Sequence, residues 1–141
     1  MSDIQTLNEK YWVKLNEKIK NYTNFSPTKP DSNAYYLPLG SNLAHISMKV
    51  NSVKMIQECK VVISDNKQLF DNLYASKEEI ENKLGFELDW DRKSGKESHI
   101  TIKRDFNIRN YNEWDDAIAW HLIIAFKFYD AFSDRIKMGI K

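Results

Sequence analysis

Ile4, Leu7, Tyr11, Leu15, Ile19 and Tyr22 recur every three or four residues, the spacing of one face of an amphipathic helix. Ser2 and Gln5 stand ahead of it with the S-x-x-Q spacing of a capping box. The stretch Asn24 to Ser32 (NFSPTKPDS) then reads as a turn-rich connector. Beyond it the period drops to two. Ala34 to Leu39 predicts a strand, with Pro38 assigning it to a sheet edge or a bulge, and Gly40-Ser41 predicts a turn. Ala44, Ile46, Met48 and Val50 alternate with His45, Ser47, Lys49 and Asn51, which predicts a strand buried on one side. Met55 to Ile63 predicts the next strand, with Cys59, Val61 and Ile63 sharing a face. Connections this short make consecutive strands antiparallel neighbours.

Two capping boxes follow, Asp65 with Gln68 and Ser76 with Glu79, and predict two short helices in succession. Leu69, Phe70 and Leu73 face inward on the first, Ile80 and Leu84 on the second, and Gly85 takes the helix-terminating position. Phe86, Leu88 and Trp90 then alternate with Glu87, Asp89 and Asp91, a strand that turns at Lys93 to Lys96 and returns through Ile100 and Ile102. A hairpin closing around Ser94-Gly95 sets Lys103, Thr101 and His99 opposite the three carboxylates. Asn112 is placed to cap a last helix running to about Lys137, with Glu113, Asp115 and Asp116 in its positive first turn. Its apolar face is Trp114, Ile118, Leu122, Ala125, Tyr129, Phe132 and Ile136. Between Ala117 and Phe126 only His121 is polar, so this helix is buried centrally or shared with another chain. The expected fold is one α+β domain, residues 1–141. An antiparallel sheet of about five strands is packed by an N-terminal helix, a short helical pair and a long C-terminal helix.

Composition narrows the function classes. The chain has 141 residues and a formal charge of +1, so no global field points to nucleic acid or membrane. One cysteine, Cys59, excludes an internal disulfide framework and a cysteine-built zinc site. The longest uninterrupted apolar run, Leu122 to Phe126, is far short of the roughly 18 residues of a membrane span. Met1 to Lys10 is no secretory leader, and the single thiol suits a reducing compartment, so the expected location is cytoplasmic. Aromatic residues reach 13%, the one excess that composition leaves unexplained.

Phe70-Asp71-Asn72-Leu73, Lys77 with Ile80-Glu81, Leu84-Gly85, Leu88, Trp90 and then Ile100 resemble an uncharacterised prokaryotic family, catalogued only as domain of unknown function number forty-two sixty-eight. The Tyr11-Trp12 helix and the aromatic-rich C-terminal helix are similar too, so the likeness covers most of the chain. The resemblance implies the same fold and a bacterial or archaeal origin. Its members stand alone or are appended to larger proteins, some with nuclease-like domains. It carries no active-site residue onto this chain.

Three chemistries compete. Asp31 with Glu58-x-Lys60 has the letters of PD-(D/E)XK nucleases, which hold a divalent metal between carboxylates beside a lysine. Against that, Asp31 falls in the connector, and E-x-K equally makes an exposed ion pair. Glu87, Asp89 and Asp91 form a carboxylate row that could hold a hard cation, or more simply a charge-paired solvent face. Arg92, Lys93, Lys96, Lys103, Arg104 and Arg109, with Phe106 and Tyr111, have the composition of a nucleic-acid contact. Yet residues 65–141 carry 13 basic and 15 acidic side chains, so such binding is expected to be weak and salt-sensitive. Lys10, Lys14 and Lys18 form a basic stripe best read as a solvated helix face. Cys59 reads as a buried, inert thiol and His121 as a hydrogen-bonded core or interface histidine. Taken together, the residues favour a binding domain over an enzyme, without cofactor, self-associating or contacting another protein. Its contacts are expected at Trp114, Trp120, His121, Phe128, Lys103, Arg104 and Arg109, in the setting of an accessory part of nucleic-acid handling or defence.

Overall fold

The structure is a computed structural model and describes residues 3–20 and 34–138. Its elements are α1 (Asp3–Ile19), β1 (Ala34–Ser41), β2 (Ala44–Asn51), β3 (Ile56–Ser64), α2 (Lys67–Ala75), α3 (Lys77–Leu84), β4 (Asp89–Asp91), β5 (Glu97–Asp105) and α4 (Trp114–Met138). A 3₁₀ turn, Tyr111–Glu113, leads into α4. The strands form one antiparallel sheet in the order β1-β2-β3-β5-β4, the α+β class read from the sequence. Ser2, Tyr22, the Asn24 to Ser32 connector and Asp31 lie outside the described residues.

Period-two alternation decides which side of the sheet is dry. Ile46 and Met48 on β2 pair with Val61 and Cys59 on β3, which pair in turn with Ile100 and Ile102 on β5. Tyr35 and Leu37 extend this face onto β1, and Trp90 extends it onto β4. The four helices supply the other half of one apolar cluster on that face: Tyr11, Trp12 and Leu15 from α1, Leu69 and Phe70 from α2, Ile80 from α3, and Ile118, Phe128 and Phe132 from α4. Helix α4 lies over β1, β2 and β3 while α1 and α3 flank it, which is why its sequence is apolar nearly all round. Among the described residues, no helix is long and apolar enough to cross a membrane.

Local signals differ from expectation at five points. Asn66, not Asp65, caps α2: its Oδ1 accepts from Leu69 N–H at 2.9 Å, while Asp65 takes a left-handed φ of 50°. Ser76 occupies the N-cap position of α3 without a side-chain hydrogen bond. Asn110, not Asn112, caps the entry to α4 through the 3₁₀ turn. Strand β1 continues through Gly40-Ser41, so the turn falls at residues 42–43. Gly85 does end α3 in the left-handed region, at φ 90°. The β4–β5 register is the one inferred, Asp89 opposite Thr101 and Asp91 opposite His99, but β4 is too short for Glu87 to join it. The turn of that hairpin is braced by Lys67, whose ammonium donates to the carbonyls of Arg92, Lys93 (3.1 Å) and Glu97 (2.9 Å).

Candidate functional site

The most constrained polar chemistry is inside the core. His121 on α4 is fully buried, and its Nε2–H donates to the Glu58 carbonyl at 3.0 Å. A carbonyl can only accept, so Nε2 carries the proton and Nδ1 is the acceptor. Tyr11 O–H donates to Nδ1 at 2.7 Å and the Gln57 amide lies 3.2 Å from it, while that amide also donates to the Ala117 carbonyl at 3.0 Å. Arg104 Nε then donates to Gln57 Oε1 at 2.5 Å and its terminal nitrogen to Asp116 at 2.8 Å. Burial lowers the His121 pKa to about 3 and pushes the Tyr11 hydroxyl far up, so both stay neutral. The chain of bonds ties α1, β3, β5 and α4 together. It is a structural network: Tyr11, Gln57 and His121 are all buried.

At its outer end the network shapes a surface. The Arg104 guanidinium, hydrogen-bonded to Gln57 and Asp116, lies 5.2 Å from the centre of the half-buried Trp120 ring. Ile123, one turn along α4, is 54% exposed. A planar cation stacked on an indole beside an aliphatic side chain makes a fixed, partly apolar patch.

The opposite side of the sheet is polar. Lys49, Glu58 and Lys103 form one cross-strand row; Ser47, Lys60, Thr101 and Asp89 form the next; His45, Val62, His99 and Asp91 form a third. A shallow depression of about 160 Å³ opens there, lined by Glu58, Lys60, Asp89, Asp91, Thr101 and Lys103 among others. Lys60 Nζ is 3.9 Å from Glu58, with both side chains largely covered, and Lys93 pairs with Asp91 at 3.6 Å. Burial lowers the pKa of Lys60, helped by the neighbouring charge of Lys49. Burial likewise lowers those of His45 and His99.

The residues singled out from sequence distribute themselves unevenly. Trp114, His121 and Phe128 are covered by the chain's own core, so they are not available to a partner; Trp114 Nε1 donates to the Ile108 carbonyl at 2.8 Å. Of the expected contact set, Trp120, Lys103, Arg104 and Arg109 reach the surface. Phe106 is buried, Arg92 pairs with Asp71 and Arg104 with Asp116, so the basic and aromatic residues do not assemble into one nucleic-acid platform. Lys14 is paired with Asp115 at 2.8 Å. Glu58 and Lys60 do share a depression with Asp89 and Asp91, but Glu87 lines a different groove beside α3. Among the described residues no three His, Cys, Asp or Glu side chains converge on a common point for a metal ion. Cys59 is buried, and burial raises its thiol pKa. The Tyr11–His121–Gln57–Arg104 network was invisible in the sequence except as one polar residue in an apolar helix.

An antiparallel five-stranded sheet with its helices gathered on one face, and a polar depression on the other, defines an α+β protein. The chain belongs to the family described as "Domain of unknown function (DUF4268)", which matches residues 7–136. No curated protein matches it. Among solved structures it is similar to YbjN of E. coli, a protein only provisionally described as a transcription regulator. That likeness has 11% identity and a TM-score of 0.49, covering 89% of this chain and 85% of the other. At those values the similarity carries no functional argument.

Proposed function

We propose that this chain is a binding domain that works through protein contacts, a second copy of itself included, centred on Arg104, Trp120 and Ile123. The observation that supports it is the Arg104–Trp120 stack, with Ile123 exposed beside it on α4. Trp and Arg are the residue types that dominate interface energetics, chiefly where they are rigid before binding. Arg104 meets that condition because Gln57 and Asp116 fix its guanidinium. Strand addition is a poor alternative route to a partner. Pro38 and a register shift interrupt the β1 edge, and β4 is three residues long with two aspartates. In an isologous antiparallel contact centred on Ile123, helix geometry sets position 120 of one copy opposite position 126 of the other, aromatic against aromatic.

Sedimentation velocity over a concentration series tests this. The wild-type chain is expected to show a concentration-dependent increase in sedimentation coefficient. Ile123→Glu should remove it, and Val53→Glu, at another exposed apolar position, should not. A wild-type chain that stays monomeric throughout removes the self-association claim, and association unchanged in Ile123→Glu removes the patch.

One observation favours a second reading, a metal-dependent nuclease: Glu58, Lys60, Asp89 and Asp91 line a single depression. Asp31, the other carboxylate of that reading, lies outside the described residues. Plasmid cleavage in Mg²⁺ or Mn²⁺ that disappears in Glu58→Ala would establish it over the first.

A further inference from the structure

The polar sheet face gathers more cations around one carboxylate than that carboxylate neutralises. Glu58 on β3 lies directly between Lys49 on β2 and Lys103 on β5. Lys60 follows on the same strand face, its ammonium 3.9 Å from Glu58. Directly opposed residues in a sheet have Cβ atoms only about 5 Å apart, so Lys49 and Lys103 flank Glu58 while Lys60 alone of the three comes within ion-pair distance of it. Lys54 lines the same depression, and among the described residues Lys49, Lys54 and Lys103 form no ion pair. The Lys60 side chain is only 13% exposed, and it is flanked across the strands by the hydroxyls of Ser47 and Thr101. On the β4 side the depression ends in carboxylates: Asp91 is occupied by Lys93, whereas Asp89 makes no ion pair among the described residues.

We infer that this depression binds a phosphate group, with Lys60 and Lys103 against its oxygens, Thr101 donating its hydroxyl, and Lys49 and Lys54 supplying charge from the rim. Three lysines and three carboxylates line the depression, and its lysine side, Lys54, Lys60 and Lys103 with the Thr101 hydroxyl, suits a multi-oxygen anion better than a single carboxylate. Burial and the charge of Lys49 disfavour the charged form of Lys60 in the free protein, and an anion seated beside it offsets both. Asp89 repels a second anionic group on the β4 side and accepts hydrogen bonds from hydroxyls there. The ligand thus presents one phosphate inward and a neutral, hydroxyl-bearing part outward. The inference rests neither on the protein-contact patch, which lies on the helical side, nor on cleavage.

The test follows backbone amide shifts of the full chain at constant ionic strength, with a chelator present, as inorganic phosphate is added. Saturable shifts are expected at Ser47, Lys60, Thr101 and Lys103. Lys60→Met, which keeps the aliphatic stem, should weaken binding about tenfold or more. Lys103→Met, at an exposed position, should weaken it several-fold and serves if Lys60→Met fails to fold. Lys14→Met on α1 should change nothing. Ribose 5-phosphate shifting the same amides, with a salt dependence of about one charge, points to a free ester. A short single-stranded oligonucleotide doing so with a steeper dependence points to a nucleic-acid backbone. Non-saturating shifts, or affinity unchanged in the Lys60 and Lys103 variants, would overturn the assignment.

Discussion

Replacing His121 should change how the protein's stability depends on acid, by an amount the structure specifies. In the folded chain the imidazole is fully buried, proton-free at Nδ1 and held at a pKa of about 3. Unfolded, it returns to about 6.5. Between those values the unfolded state binds the extra proton, so stability falls as pH falls through this window and is fully present above it. The complete difference converts to about 5 kcal/mol; at pH 5 roughly 2 kcal/mol is already lost, and at pH 4 roughly 3 kcal/mol. That is a large share of the ~5–15 kcal/mol that holds an ordinary domain together. Carboxylates also titrate in this range, so the informative quantity is the gap between wild type and His121→Phe. At neutral pH the variant should be destabilised by about 2–5 kcal/mol, since Tyr11 O–H, the Gln57 amide and the Glu58 carbonyl lose a buried partner. Urea unfolding by circular dichroism, repeated from pH 7 to pH 4, should show that gap shrinking by about 3 kcal/mol, because only the wild type then acquires a buried proton demand. A gap constant with pH would show that His121 is not held neutral, and the network assignment would fall.

Gly85→Ala should cost about 1 kcal/mol by thermal unfolding. Its φ of 90° strains an L-residue, while the added methyl meets nothing within 4 Å, so a larger loss would contradict a purely backbone origin. Glu81 accepts from Leu88 N–H at 2.8 Å and Trp90 Nε1–H at 3.0 Å, so Glu81→Ala should destabilise by about 1–2 kcal/mol and alter tryptophan emission; unchanged emission would refute the link. Cys59 should resist an aromatic disulfide reagent in the native protein and react at the rate of opening once urea is added. Rapid native labelling would contradict its burial.

Much of the architecture was written in local periodicity, because alternation and three-to-four spacing act within a few residues. The sequence alone determined the half-buried strand Ala44–Asn51, the stop at Gly85, the β4–β5 register and the inward set Leu69, Phe70, Leu73, Ile80 and Leu84. It also marked α4 as a helix needing cover on nearly every side. What it could not decide was the source of that cover. An all-apolar helix looks the same whether it packs in its own core or against another chain. The tertiary structure assigns Trp114, His121 and Phe128 to the chain's own core and leaves Trp120 and Ile123 nearer the surface. Where neighbouring polar residues compete for a cap, Asn66 beside Asp65 and Asn110 near Asn112, local spacing does not choose between them and backbone angles do. The buried network joins Tyr11 to His121 across 110 positions, and the cation row joins Lys49, Glu58 and Lys103 across three strands. Neither leaves a periodic trace. The cation row and the Arg104 end of the network depend on β5 inserting beside β3, a long-range pairing that local spacing does not encode.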